Sequence, residues 1–478
     1  MATRLRTLDG GQATITDEEF DELRLAVRGP LITPGDPGYD ESRVVYNGLF
    51  DRRPGLIVRC SGTADVIDAV NFARDRDLLV AVRGGGHSIA GHCIFDGAMM
   101  IDLSAMRGVS VDPATRTVRV AGGATWGDVD RETQVFGLAV PGGIVSTTGV
   151  AGLTLGGGLG WLHRKYGLSC DNLTAAEVVT AGGEVVRANG TENADLFWAL
   201  RGGGGNFGVV TAFEFQAHPV GPVVMLGAAI YAAADAETVL PAWRDWTTGL
   251  PDEVTTRAMF WTTPETPALP PAVHNRDVFI AAAVYAGPPE DGAGVLRPIG
   301  EFATPLADLS GPAPFRAVQS QFDAFFPTGE LLGYWKSANV GDLGADMVEV
   351  LLHAGLGRPH PLTLVHVPQM GGAVQRVGPR DTAFGDRSAG YIVSIDGNWT
   401  DPADTDENMA WVRDAYDAVS RLPTASGTYL NFGGDPDLDS GTRHAVFGEN
   451  LDRLARVKRD YDPENRFRLN SNIQPAGS

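Results

Sequence analysis

One histidine stands where backbone could bring it close to a ligand. His87 follows three glycines in the run Arg83, Gly84, Gly85, Gly86, His87, Ser88, closed by Gly91. A neutral imidazole is a usable nucleophile, and a loop without side chains lets it press against a bound group. His92, five residues on, has no carboxylate at metal-ligand spacing, so this is not a zinc motif. Cys60, Cys93 and Cys170 are too scattered for a disulfide framework or a metal site, and no metal is expected. Glycines cluster again at 142–143, 156–160 and 202–205. Any one such loop reads as a tight turn. Several of them within about 120 residues suit the backbone N–H cradle of one extended anionic ligand of dinucleotide length. Gly203, Gly205 and Gly208 match the dinucleotide fingerprint in letters only, because helical sequence precedes them and a strand pattern follows.

Candidates for moving a proton are Tyr429, Tyr391 and His366. His366 lies mid-strand among apolar residues, where a hydrogen-bonded core histidine is the ordinary role. Lys336 is one of only three lysines, with Lys165 and Lys458, and reads as a structural ion pair.

The elements that must position these groups fall into two patterns. Thr16 caps a helix with acids in its first turn. From 54 to about 215 short apolar strands alternate with helical segments, among them a capped helix from Thr63 and strands near 78–83, 99–103, 117–121, 175–181 and 208–216. After Pro219 and Pro222 the composition changes to alternating strands near 278–285, 363–368 and 391–396 with helices between, the pattern of an antiparallel sheet backed by helices. The expected organisation is residues 1–218, a domain at 219–444, and a returning segment at 445–478.

The chain has 478 residues, a formal net charge of -21, 43% hydrophobic and 20% charged residues. That acidity argues against nucleic acid and anionic membrane surfaces as partners. No stretch approaches the roughly 18 apolar residues of a spanning helix, and the first residues show no apolar signal core. A cytoplasmic protein is the expectation.

Taken together, the motifs resemble the berberine-bridge-enzyme-like FAD-linked oxidases of the vanillyl-alcohol-oxidase and p-cresol-methylhydroxylase fold. The segment Arg83–Gly91 is similar to the family's covalent-flavin motif, 147–161 to its second FAD loop and 201–211 to its third. Tyr429, Leu430, Asn431 and the stretch from Tyr461 through Asn470 to Pro475 resemble its C-terminal signature. The resemblance runs from about residue 40 to the end. It implies an α+β fold in which a two-lobed FAD-binding domain faces a substrate domain built on a largely antiparallel sheet.

It also implies site roles. His87 would carry FAD covalently, with Arg83, Gly84, Gly85, Gly86, Ser88 and Gly91 around it. Gly142, Gly143, Thr147, Thr148, Gly149, Gly152, Gly158, Gly160 and Trp161 would line the cofactor, Thr148 and Gly149 near the ring. Gly208, Val209 and Val210 would hold the adenine end, and Asn431 and Asn470 would close the site. Two departures stand out. Relatives with a second flavin link have a cysteine four residues before Gly149, where this chain has Val145, so a single link is expected and Cys170 is read as interior packing. Many relatives have a tyrosine after Asn431, proposed as base; Phe432 stands here and cannot take a proton.

The expected activity is hydride transfer from a small organic substrate to FAD, with O2 taking the electrons and leaving as H2O2. Tyr429 is the favoured base. An oxygenating enzyme of the flavin-N5-oxide type, acting on an aromatic polyketide-like substrate, is the alternative. A silent flavin-binding protein is the second.

Overall fold

The computed structural model describes residues 3–435 and 440–477. A four-stranded sheet opens the cofactor half: Leu56–Arg59 and Val80–Arg83 flank Met99–Asp102 in parallel, and Leu31–Ile32 adds an antiparallel edge. The three longer strands are apolar runs, as parallel strands buried on both faces must be. The helix Thr63–Arg74 packs Val66, Ala69 and Val70 into the core of this sheet. Beside it runs a five-stranded antiparallel sheet in the order Val185–Asn189, Leu173–Val179, Val209–Gln216, Thr117–Ala121, Val109–Asp112. Its core is built on Trp126, Trp198, Phe213 and Phe215.

A nine-stranded antiparallel sheet follows, its central strands Val254–Thr263, Leu364–Pro368, Tyr391–Trp399 and Leu332–Val340 lying side by side. The helices Ala236–Thr247, Ala345–Leu356 and Thr405–Ser420 cover one face. Side chains alternate across a strand, so Ala258 and Phe260, Val365 and Val367, and Tyr391, Val393 and Ile395 point into that helix-covered core. Residues one step away point to the other face.

The last helix, Leu451–Tyr461, returns to the five-stranded half, where Leu454 and Val457 join the core with Trp198. It is pinned by a buried cation. Lys458 Nζ donates to Asp462 Oδ2 (2.7 Å) and to the carbonyls of Asn206 (2.7 Å) and Phe467 (3.0 Å). All three ammonium protons are thereby used, which burial of the charge requires.

At the start of the chain Thr16 and Glu19 form a reciprocal capping box. A hairpin, Thr3–Arg6 with Gln12–Ile15, precedes it and has no counterpart in the sequence reading. Its residues look polar, but Leu5 and Ile15 are buried in the core and the backbone of Arg6 hydrogen-bonds to Gly97 and Leu79. No helix among the described residues is long and apolar enough to cross a membrane. No cluster of three or more His, Cys, Asp or Glu that could hold a metal occurs among them.

Candidate active site

A cavity of about 340 Å³ is walled on one side by the glycine loops at 84–88, 143–156 and 204–210, and on another by the face of the large sheet opposite its three helices. The C-terminal residues Asn431, Phe432, Leu469, Asn470 and Ser471 complete its wall.

The strand Val80–Arg83 delivers the first loop to this cavity. Arg83 itself turns away and is consumed in bracing. Its Nη2 and Nε hold Asp102 Oδ2 and Oδ1 at 2.6 and 3.0 Å, and Nη1 donates to the Ser42 carbonyl. Asp102 also accepts from Arg59 Nε, so one buried carboxylate ties two parallel strands to the root of the loop. His87 then lines the cavity with its ring stacked on Tyr46, centroids 3.8 Å apart and planes 16° off parallel. Its Nε2 is buried and has no hydrogen-bond partner among the described residues. Burial pushes the imidazole down to about 4, so it is neutral at pH 7.

The loops hold one another by contact between backbones. A Cβ on Gly85 would sit 2.4 Å from Gly149 Cα, and one on Gly160 would sit 1.8 Å from the Gly142 carbonyl oxygen. Only glycine allows chains to cross this closely.

On the sheet side, three polar residues share the cavity face. His366 Nε2 meets Asp396 Oδ2 at 3.0 Å, and Asp396 Oδ1 accepts from Ser394 Oγ. His366 Nδ1 is buried without a partner. Arg257, two positions from Met259 on the same face, is 1% exposed and stacks over Trp161 with its guanidinium carbon 4.7 Å from the ring centroid. Tyr46 stands between the histidine loop and the sheet, stacked on His87 and edge-on to Trp335 with centroids 6.2 Å apart, and burial together with the charge of Asp396 raises its hydroxyl far above its ordinary value.

The FAD binding domain family matches residues 54–189, and the berberine and berberine like family matches residues 428–474. An uncharacterized FAD-linked oxidoreductase of Bacillus subtilis (strain 168) is 31% identical over 456 residues, covering 94% of this chain and 97% of its own. The (R)-6-hydroxynicotine oxidase of Paenarthrobacter nicotinovorans is 31% identical over 470 residues, covering 95% and 98%. This chain belongs to the berberine-bridge-enzyme-like FAD-linked oxidases. Crystalline 6-hydroxy-D-nicotine oxidase from Arthrobacter nicotinovorans superposes with a TM-score of 0.83 at 27% identity, over 94% of this chain and 98% of that one. The protein is thus an FAD-dependent oxidoreductase of the p-cresol-methylhydroxylase-type fold.

The cavity fits the cofactor of that family. An imidazole nitrogen is left uncommitted in its wall, and a Cβ added at Gly152 or Gly205, both lining it, meets nothing within 4 Å. Side chains there would fill the cradle.

Of the residues read from the sequence, Gly84, Gly85, Gly86, His87, Ser88, Gly143, Thr148, Gly149, Gly152, Gly208, Val209, Val210, His366, Asn431 and Asn470 line the cavity. Others lie outside the lining of the cavity. Thr147 is exposed to solvent. Gly91 passes against the Phe50 ring, Gly142 against the Trp126 ring, Gly158 against Ser169, and Gly160 against Gly142. Trp161 lies in the core beneath Arg257.

Neither tyrosine read as a base lines the cavity. Tyr429 is buried, with its hydroxyl oxygen accepting from Gly158 N–H (3.0 Å) and Asn431 Nδ2 (2.9 Å); burial pushes it up to about 12. It shapes the second loop. Tyr391 points to the helix-covered face and shares a hydrogen bond with Thr247 Oγ1. Lys336 forms its ion pair, at 2.6 Å from Asp435 Oδ2. Cys170 is buried among Leu159, Leu168 and Tyr429.

The sequence reading passed over Tyr46, Arg257, Trp335 and Asp396. The signal was there for two of them. Arg257 and Asp396 are charges in the middle of apolar strands, which is seldom tolerated without a role.

Proposed function

We propose that this chain is an oxidase that holds FAD through one covalent bond to His87, oxidises a small organic substrate, and yields H2O2. The observation that carries the reading is His87: a neutral ring with a free nitrogen, in a side-chain-free loop on the wall of the cavity. FAD, when bound, supplies the two-electron acceptor that O2 reoxidises. Residues 1–218 and 445–478 would serve the cofactor and 219–444 the substrate. Val145 lines the cavity where a second, cysteine link would start, which favours a single attachment.

In place of the expected tyrosine, His366 is the proposed base. Asp396 accepts from its Nε2–H, fixing the tautomer that leaves Nδ1 with a lone pair. Nδ1 would take the hydroxyl proton of a substrate CH–OH while bound FAD would supply the acceptor for its hydride, leaving C=O. Both leave with O2 as H2O2. Met259, Trp335 and Phe432 line the cavity with His366 and keep water from it.

The test begins with acid precipitation and mass spectrometry of wild type beside His87→Ala. A flavin adduct on the His87 peptide that disappears in the variant is expected. Flavin that washes out of the wild type overturns the attachment. Peroxide released per O2 consumed, across alcohols, sugars and cyclic amines, then separates an oxidase (one to one) from an oxygenating enzyme.

A further inference from the structure

Arg257 is a buried cation that the protein itself leaves unanswered. It stands mid-strand in Val254–Thr263, lines the cavity, and its Nε and Nη2 find no acceptor among the described residues. Burial pushes the guanidinium down only to about 10, so it stays charged at neutral pH. The face of Trp161 supplies a weak partner and cannot accept a hydrogen bond in the plane of the guanidinium. Asp396 is near enough to act on Arg257 through its field, yet both its oxygens are committed, to His366 and to Ser394. A buried charge in this condition calls for a counter-charge from outside the chain.

The geometry of the free donors says which kind. Nε and Nη2 form one edge of the guanidinium fork, two parallel N–H groups matched to the two oxygens of a carboxylate. Met259, Phe322, Phe326, Trp335 and Phe432, which line the same cavity, are apolar or aromatic. We infer that Arg257 anchors the carboxylate of the substrate, and that the substrates are small acids with an apolar or aromatic body and an oxidisable CH–OH or CH–NH next to His366. The inference rests on the oxidase reading for the chemistry, though not for the binding.

Binding can be read without turnover, from the absorbance change of oxidised flavin in the holoenzyme. Benzoate, phenylacetate and 3-phenylpropionate are titrated, each beside its neutral amide. At least one acid is expected to bind about 10-fold or more tightly than its amide, because a site with unpaired donors rejects a ligand that cannot answer them. Arg257→Met should abolish that preference while leaving amide binding unchanged, and Arg257→Lys should keep part of it. Acids that bind no better than amides to the wild type overturn the inference without recourse to any variant. So does an Arg257→Met protein that keeps the acid preference and shows a lowered flavin reduction potential, since the guanidinium would then answer the cofactor. Slow reoxidation of reduced flavin by air would overturn the oxidase reading and leave the acid preference standing.

Discussion

Gly149→Ala isolates the contact that sets the His87 loop. Gly149 has φ -67°, which alanine adopts freely, so the backbone conformation offers no objection. The obstacle is distance. A Cβ there would stand 2.5 Å from Gly85 N and 2.7 Å from Gly85 Cα, and neither is a side-chain atom that could rotate away. Ordinary contact requires the two loops to part by about 0.9 Å. Overpacking of this kind costs about 1–3 kcal/mol, seen as a melting temperature lowered by a few degrees. The larger effect falls on chemistry, since a reacting group misplaced by about 1 Å loses on the order of 10²-fold in rate. Protein made under riboflavin limitation is given FAD, quenched in acid at intervals, and scored for covalent flavin by mass spectrometry. Gly152→Ala is the comparison: its Cβ has open space, so it should melt as the wild type does while holding FAD less tightly. A Gly149→Ala protein that melts and acquires flavin like the wild type would refute the argument.

Lys458→Met strands the Asp462 carboxylate, which is fully buried and keeps only the backbone N–H groups of Arg466 and Phe467. Removing one partner of such a pair costs about 3–5 kcal/mol. Urea unfolding followed by tryptophan fluorescence should show it, and a loss below about 1 kcal/mol would contradict it. Asp130 is raised to about 7, chiefly by burial, against a weaker opposing hydrogen bond from Gln319. Between its ordinary value near 3.8 and about 7, the folded protein holds a proton that the unfolded chain has released, so stability falls as pH rises through that window. Asp130→Asn should flatten this part of the melting profile between pH 5 and 7; an unchanged slope would remove Asp130 from the account. His366→Gln should slow anaerobic flavin reduction about 10²–10⁴-fold, the usual worth of a general base. A smaller loss would return that role to another group.

Much of the site was legible because glycine loops are local signals. The helix Ala194–Leu200 before Gly203 and the strand Val209–Gln216 after Gly208 agree with the order that argues against the dinucleotide fingerprint. What could not be read was which face of each distant strand meets those loops. Period-two alternation was enough to separate Tyr391 from Asp396, since an odd step puts them on opposite faces. It could not say that residues 257, 366 and 396 would be neighbours, because that depends on strand pairings such as His366 with Ser394 and, across more than a hundred residues, Met259 with His366. The glycines read as cofactor contacts that lie outside the cavity lining share a related reason. A close approach to another backbone and a close approach to a ligand leave the same mark on a sequence.

Phe432 links the departure in the C-terminal segment to the polar face of the sheet. Its ring stands edge-on to His366, centroids 5.6 Å apart at 72°, and edge-on to Tyr429 at 4.9 Å and 87°. A phenyl ring at that place accepts no proton, but it removes water from one side of the imidazole. Losing water strengthens the hydrogen bond between His366 and Asp396 and so sharpens the preference for one tautomer. On the proposed reading, the proton chemistry would pass from the C-terminal segment, where Phe432 stands, to His366 on the sheet.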